Sequence, residues 1–259
     1  MTHQGKLTIV SLGPGELDYL APAARLALQA ADLVVGYRFY VSLIRDLLTP
    51  QQQIVDSELG EEMARANLAI DLAMQGQRVA LISSGDAGVY AMAGPVFEAL
   101  ATRGWTTGCV PTIEVIPGIS ALQAASARLG ALIAHDFCTI SLSDLHTEWS
   151  IIVQRVEAAA IGDFVIGFYN PRSAGRHWQL AEARRILLTQ RRATTPVAIA
   201  RHVMRPAEQI TLTTLGELDV EQVDMMTLVI VGNSQTVRLG EHLATPRGYT
   251  AKKLQSATQ

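Results

Sequence analysis

Three short segments combine glycine with a residue able to hold or orient a polar ligand: Gly13-Pro14-Gly15, Ser84-Gly85-Asp86 and Pro117-Gly118-Ile119-Ser120. Glycine lets backbone approach a bound molecule closely, and a carboxylate such as Asp86 accepts hydrogen bonds from hydroxyls or an amine. A second set, in the other half of the chain, is basic. Tyr169-Asn170-Pro171-Arg172-Ser173 leads into Gly175-Arg176-His177, and Arg201-His202-Val203-Met204-Arg205-Pro206 follows later. Guanidinium groups grouped in this way suit a ligand that carries carboxylates.

Other chemistry finds less support. Gly13-Pro14-Gly15 is followed by Glu16-Leu17-Asp18, so the GxGxxG pattern of a dinucleotide dehydrogenase fails. Pro14 also removes an N–H that a pyrophosphate would use. A P-loop is excluded by the lack of GKS or GKT. Without a phosphate cradle, the loops fit a cofactor built of adenosine and an amino acid. The histidines at 3, 135, 146, 177, 202 and 242 form no HExxH or close pair, and read as surface or structural residues, so no metal site is expected. There is no GxSxG elbow. Cys109 and Cys138 fit neither a CxxC site nor a disulfide framework. A net charge of -3 offers no general attraction for nucleic acid. No run of apolar residues is long enough to span a membrane, so a soluble, cytoplasmic protein is expected.

The elements that must position these loops alternate from the start. Leu7 to Leu12 reads as a strand ended by Gly13-Pro14-Gly15, Pro22 starts a helix carrying Ala24, Ala27, Leu28 and Ala31 on one face, and Leu33 to Val35 is a strand closed by Gly36. This is a βαβ unit. Glu61 and Glu62 open a helix with Met63, Ala66, Ile70 and Met74 on one face. Arg78 to Ile82 is a strand before Ser84-Gly85-Asp86, and a helix follows over about 89–102. Ile113 to Ile116 is a strand, with Ser120 placed to cap the next helix. Each glycine loop thus follows a strand, where parallel α/β sheets collect ligands.

In the second half, Phe137–Leu142, Phe164–Tyr169, Val197–Val203, Ile210–Leu215 and Thr227–Val231 read as strands. Alternation in Ile210–Thr214 suits a sheet edge, and the closeness of Ile210 and Thr227 in sequence predicts neighbouring antiparallel strands. Arg184, Arg185, Arg191 and Arg192 read as a solvated helix face and its exit. The domain expectation is an α/β domain over 1–119, a mixed α+β domain over 120–243 and a polar tail over 244–259.

Val10-Ser11-Leu12-Gly13-Pro14-Gly15, Ser84-Gly85-Asp86, Pro117-Gly118-Ile119-Ser120 and Val231-Gly232-Asn233-Ser234 resemble the tetrapyrrole methylases, the class III S-adenosylmethionine methyltransferases. The resemblance covers about 6–240. His135-Asp136-Phe137-Cys138, Ile140-Ser141-Leu142-Ser143-Asp144-Leu145, Phe168 to Ser173 and Arg201 to Pro206 are similar to the branch that methylates C-17 of precorrin-3B and contracts its ring in cobalamin biosynthesis. Siblings act at C-11 or C-20, and a non-catalytic ligand-binding protein on the same scaffold is the alternative from another class. Relatives often carry Gly-Asp-Pro in the second loop, where this chain has Gly85-Asp86-Ala87.

The resemblance implies a two-domain homodimer with the active site in the cleft between an N-terminal mostly parallel α/β domain and a C-terminal mixed-sheet domain. It places S-adenosylmethionine against Pro14, Gly85, Asp86, Val89, Ser120 and Ala121, then Tyr169 or Asn170, Val203 and Thr227. Arg172, Arg176 and Arg205, with His202, are expected at the macrocycle, and His202 or Asp86 as the base for ring contraction. The transfer itself needs alignment more than covalent catalysis.

Overall fold

The computed structural model describes residues 5–173 and 175–249, so His3 and the part of the expected tail from 250 to 259 lie outside the described residues. The chain divides into two compact units, Met1–Ala121 and Leu122–Gln259.

The first unit is a parallel sheet of β1 (Lys6–Ser11), β2 (Leu33–Tyr37), β3 (Gln53–Ser57), β4 (Arg78–Ser83) and β5 (Thr112–Ile116), in the order β3-β2-β4-β1-β5. Its helices are α1 (Pro22–Ala30), α2 (Arg38–Leu43), α3 (Glu62–Met74) and α4 (Ala93–Thr102). Strands buried on both faces carry near-continuous apolar runs whose alternate residues serve opposite layers. Leu7, Ile9, Leu33, Val35, Val79 and Leu81 pack with Ala66, Ile70, Val96 and Leu100 of α3 and α4. Val10, Val34, Ala80 and Ile82 pack with Ala24 and Leu28 of α1. Each such leucine or isoleucine contributes about 1.5–3 kcal/mol by leaving water.

Several expectations change here. The buried stripe of α3 is Arg65, Ala66, Ala69, Ile70 and Ala73. Met63 and Met74 lie at the stripe's edge at either helix end and are exposed. Gly36 does not close β2 but lies within it, where an added Cβ would come 2.3 Å from Ile82 Cγ1. The helix expected from Val89 begins at Ala93, because Tyr90 turns to a φ of +52°. β3 and α2 had no strong periodic signal, being short and half-exposed.

The second unit begins with α5 (Ala121–Leu129) and holds a mixed sheet with the order β10-β9-β11-β8-β7. Its strands are β7 (Phe137–Ser141), β8 (Val165–Tyr169), β9 (Pro196–Arg201), β10 (Gln209–Thr214) and β11 (Thr227–Val231). β7 and β8 are parallel, and β11 runs antiparallel to both β8 and β9. The expected pairing of β10 with β11 is therefore corrected. β9, buried from Val197 to Ala200, lies between them as a central strand, while half-exposed β10 takes the edge. Helices α6 (Trp149–Ile161) and α7 (Gln179–Leu188) cover one face through Ile152, Val156, Ala183 and Leu187. Gly167 of β8 admits the side chain of Leu122 on α5.

A small sheet joins β6 (Gly130–Ala131), β12 (Val237–Leu239) and β13 (His242–Ala244). The expected tail start at 244 falls inside β13. Thr245 is buried, with its hydroxyl donating to Leu132 O at 2.7 Å.

Arg191 overturns its reading as a solvated residue. It is buried, its Nη1 donates to Gly232 O at 2.6 Å, and its Nη2 donates to Phe164 O at 2.6 Å and Ala159 O at 3.1 Å. It thereby ties the end of β11 to the turn between α6 and β8. Arg184 likewise donates to the carbonyls of Leu215 and Gly216. Among the described residues, no helix is long and apolar enough to cross a membrane.

Candidate functional site

In the first unit, β1 lies between β4 and β5, level with each: Ser11 pairs with Ser83 and Val10 with Ile116. Their following loops must therefore emerge side by side. Gly13 and Gly85 exchange two backbone hydrogen bonds, Gly13 N to Gly85 O at 3.1 Å and Gly85 N to Gly13 O at 2.7 Å. Both need positive φ, +72° and +65°, which explains glycine at each. Ser11 Oγ accepts from Ala87 N at 2.8 Å. At Gly118 an added Cβ would lie 2.5 Å from both Gly85 O and Ser11 Cβ, so the third loop is packed hard against the first two.

Asp86 fastens this arrangement. Its Oδ1 accepts from Gly88 N at 2.8 Å and its Oδ2 from Gly118 N at 2.9 Å. The carboxylate is first a brace between the second and third loops. At Gly85 an added Cβ would meet no clash: its nearest atoms would be Ser120 Cα at 3.8 Å and Ala121 N at 3.9 Å. The second loop therefore lies in ordinary contact with Ser120 and Ala121 of the third, and its glycine answers to the positive φ and not to crowding. Ser120 and Pro14 are buried, and Val89 is half-buried with its N–H donating to Asp86 O. These residues fit S-adenosylmethionine without a phosphate-binding cradle.

In the second unit the strand directions gather another set. β7, β8 and β9 end at the same sheet edge at which β11 begins, as the pairs Ser141–Tyr169 and Thr227–Arg201 show. Tyr169, Asn170, His202, Val203 and Thr227 therefore share that edge. Asn170, His202 and Met204 adopt φ of +49°, +51° and +54°. Non-glycine residues held there cost about 1–3 kcal/mol each and cluster at functional sites. Tyr169 Oη accepts from Leu122 N at 3.0 Å, and Asn170 Nδ2 donates to Ser141 Oγ at 3.0 Å. Val203 is buried, which leaves its backbone as the part able to meet a ligand.

His202 lies among charges. Burial foremost, and then the cations Arg201 and Arg205, push its pKa below the ordinary histidine value, against an opposing pull from Asp224. Asp224 pairs with Arg201 at 2.7 Å and accepts from Thr227 Oγ1 at 2.7 Å and Met226 N at 2.9 Å. Burial opposes its ionisation, but those three donors outweigh it and hold its carboxyl below the usual aspartate range. Thr227 is thus committed to Asp224 through its hydroxyl.

The arginines differ in what they have left to offer. Arg172 donates to Val220 O at 2.9 Å and pairs with Glu221 at 2.7 Å, so its guanidinium anchors a neighbouring loop. Arg176 donates to Asn170 O at 3.0 Å and Ser143 Oγ at 3.4 Å, and among the described residues it has no carboxylate partner. Arg205 is half-buried, with its N–H donating to His202 O. Sequence reasoning did not single out Asp224, Ser141 and Ser143 as site residues. A Ser-x-Ser step directly after a strand, and an aspartate just before one, were the available signals.

The model of the family described as "Tetrapyrrole (Corrin/Porphyrin) Methylases" matches residues 6–219. The chain belongs to this family. Among similar tetrapyrrole methylases is the "Cobalt-factor III methyltransferase" of Priestia megaterium, 45% identical over 99% of this chain and 47% of that protein. The "Probable cobalt-factor III C(17)-methyltransferase" of Salmonella typhimurium is 46% identical over 94% of this chain and 99% of its own length. The "Precorrin-3B C(17)-methyltransferase" of a Sinorhizobium species is 40% identical over 90% of each. The chain spans about half the length of several curated relatives that it matches. The crystal structure of the methyltransferase CobJ superposes with a TM-score of 0.88 at 38% identity, over 93% of this chain and 100% of that one.

Proposed function

We propose that this chain transfers a methyl group from S-adenosylmethionine to C-17 of precorrin-3B or its cobalt-loaded counterpart, with contraction of the macrocycle. The observation that carries the reading is the match at 46% identity, spanning 99% of a relative named for C-17 methylation. The shared strand edge of the second unit supports it, because it brings hydrogen-bond donors, a neutral imidazole and an arginine without a carboxylate partner to one place.

When bound, S-adenosylmethionine supplies an electrophilic methyl on a positively charged sulfur. The residues that would hold it beside an electron-rich C-17 are Pro14, Gly85, Val89, Ser120 and Ala121. The chain's task there is alignment, worth on the order of 7–11 kcal/mol at best. The braced loops of the first unit suit that task, since Gly13, Gly85 and Gly118 are held by contacts among the loops themselves. A carboxylate at the sulfonium would stabilise the reactant more than the transition state. Asp86, occupied by Gly88 and Gly118, is read as a positioning residue and not as a base.

Ring contraction requires a proton to leave the C-20 hydroxyl as a carbonyl forms. His202 is assigned that proton, because its surroundings favour the neutral, accepting imidazole. Cofactor contacts are assigned to Pro14, Gly85, Val89, Ser120 and Ala121, and in the second unit to Tyr169, Asn170, Val203 and Thr227. Arg176 and Arg205 are assigned to substrate carboxylates. A homodimer and a cytoplasmic location accompany the reading and are tested by sedimentation and by cell fractionation.

The deciding experiment incubates the pure protein with methyl-labelled S-adenosylmethionine and, separately, precorrin-3B and its cobalt form. NMR then locates the label. Label at C-17 in a contracted ring is expected, whereas label at C-11 or C-20 assigns a sibling activity. Cofactor binding without turnover of either substrate overturns the enzymatic reading.

A further inference from the structure

The ends of β7 and β8 carry a polar group that the methyl-transfer assignment leaves unused. Ser141 Oγ accepts from Asn170 Nδ2 at 3.0 Å and from Ser143 N at 3.3 Å. Ser143 Oγ accepts from Arg176 Nη1 at 3.4 Å. A serine hydroxyl has one hydrogen to give as well as lone pairs to accept with. Ser141 Oγ is served by two protein donors and Ser143 Oγ by one, and neither O–H has a protein acceptor among the described residues. The two serines flank buried Leu142, and Ser143 N donating to Ser141 Oγ holds them close together.

The charge behind them is also uncompensated. Arg172 and Arg201 are neutralised by Glu221 and Asp224, but Arg176 is not. Asp144, beside Ser143 in sequence, accepts from buried Gln179 Nε2 at 2.9 Å instead, and Glu182, near Arg176 in sequence, pairs with Arg185. Arg176 Nε is itself buried without a partner, and its Nη1 donates to Ser143 Oγ, which strengthens that hydroxyl as a donor to a further acceptor. Donors with unspent hydrogens, backed by an unpaired cation, select an anion with two oxygens.

We propose that Ser141 and Ser143, backed by Arg176, form a carboxylate subsite that binds one acidic side chain of the tetrapyrrole substrate and sets the orientation of the ring. The proposal rests on the tetrapyrrole reading above and adds a residue pair to it. Asn170 holds Ser141 in its accepting role, so the subsite also gives a physical purpose to the positive φ of Asn170.

The test is equilibrium binding of uroporphyrin III, an eight-carboxylate macrocycle, followed by its fluorescence anisotropy. Ser143→Ala is expected to weaken binding about tenfold, and Ser141→Ala with Ser143→Ala more, because each charged hydrogen bond lost is worth that much. Ser143→Thr, which keeps the hydroxyl, is expected to stay within about threefold of the unsubstituted protein. Affinity for S-adenosylhomocysteine, read by calorimetry on the same samples, is expected not to move. Melting temperatures identify folded variants.

Unchanged uroporphyrin affinity in the folded double variant overturns the subsite and leaves the methyltransferase reading standing. Loss of S-adenosylhomocysteine affinity with uroporphyrin binding intact overturns it too, by assigning the serines to the cofactor. Failure of the unsubstituted protein to bind uroporphyrin or to methylate either corrin precursor overturns the tetrapyrrole reading itself.

Discussion

Two cations flank His202 and one carboxylate, Asp224, opposes them. Removing that carboxylate with Asp224→Asn should move the acid limb of the pH–rate profile to lower pH, since only the lowering influences remain. His202→Ala should abolish ring contraction while leaving S-adenosylhomocysteine affinity within twofold, and trapping of a methylated but uncontracted product would show it. The same group affects stability with a definite sign. The folded chain holds the His202 proton less tightly than the unfolded chain, so stability is complete above about pH 6.5 and falls as pH drops through the lower folded value. His202→Ala should flatten that part of a melting-temperature curve against pH. Types and spacing made His202 and Asp86 legible as special residues. They did not reveal the duty of Asp86, because its partners Gly88 and Gly118 are backbone donors, and Gly118 becomes adjacent only after folding.

At the scale of elements, the convergence of three loops depends on strand order. Gly118→Ala would put a methyl 2.5 Å from Gly85 O and Ser11 Cβ, so the third loop must retreat. Affinity for S-adenosylhomocysteine should fall at least about tenfold in calorimetry, a loss of roughly 1.4 kcal/mol. Asp86→Asn should cost about 1–2 kcal/mol of stability in urea denaturation, because the new amide faces an N–H where an acceptor is needed. The strands around these loops were readable as apolar runs bounded by glycine. Their neighbours were harder: β10 and β11 are close in sequence, yet β9 lies between them, and only the continuous burial of Val197–Ala200 hints at that order. Short β3 and α2 bury too little to leave a period.

For the molecule as a whole, each unit has its own core and its own way of closing. In the second unit Arg191 joins carbonyls of Ala159, Phe164 and Gly232, positions far apart along the chain. Burial, its foremost influence, pushes the Arg191 pKa down, against an opposing pull from Asp163 and Cys138. Arg191→Met fills similar volume but leaves buried carbonyls without donors, and should destabilise by about 3 kcal/mol in urea denaturation. A loss under 1 kcal/mol would mean that water replaces the guanidinium. Sequence alone assigned this residue to a solvated surface, since an arginine at a helix exit has no local mark of burial. Its carbonyl partners lie in α6, in the turn before β8 and just past β11, which only folding brings together.

The exchange of hydrogen bonds between Gly13 and Gly85 ties the first two loops of the proposed nucleoside site together through backbone alone. A ligand entering it has little disorder to remove, so association should be fast and its entropic penalty small. Amide deuterium exchange at Gly13 and Gly85 should accordingly be slow in the ligand-free protein and change little on addition of S-adenosylhomocysteine. Selectivity in that proposed site would then rest on shape: a nucleoside either matches a rigid mould or is turned away.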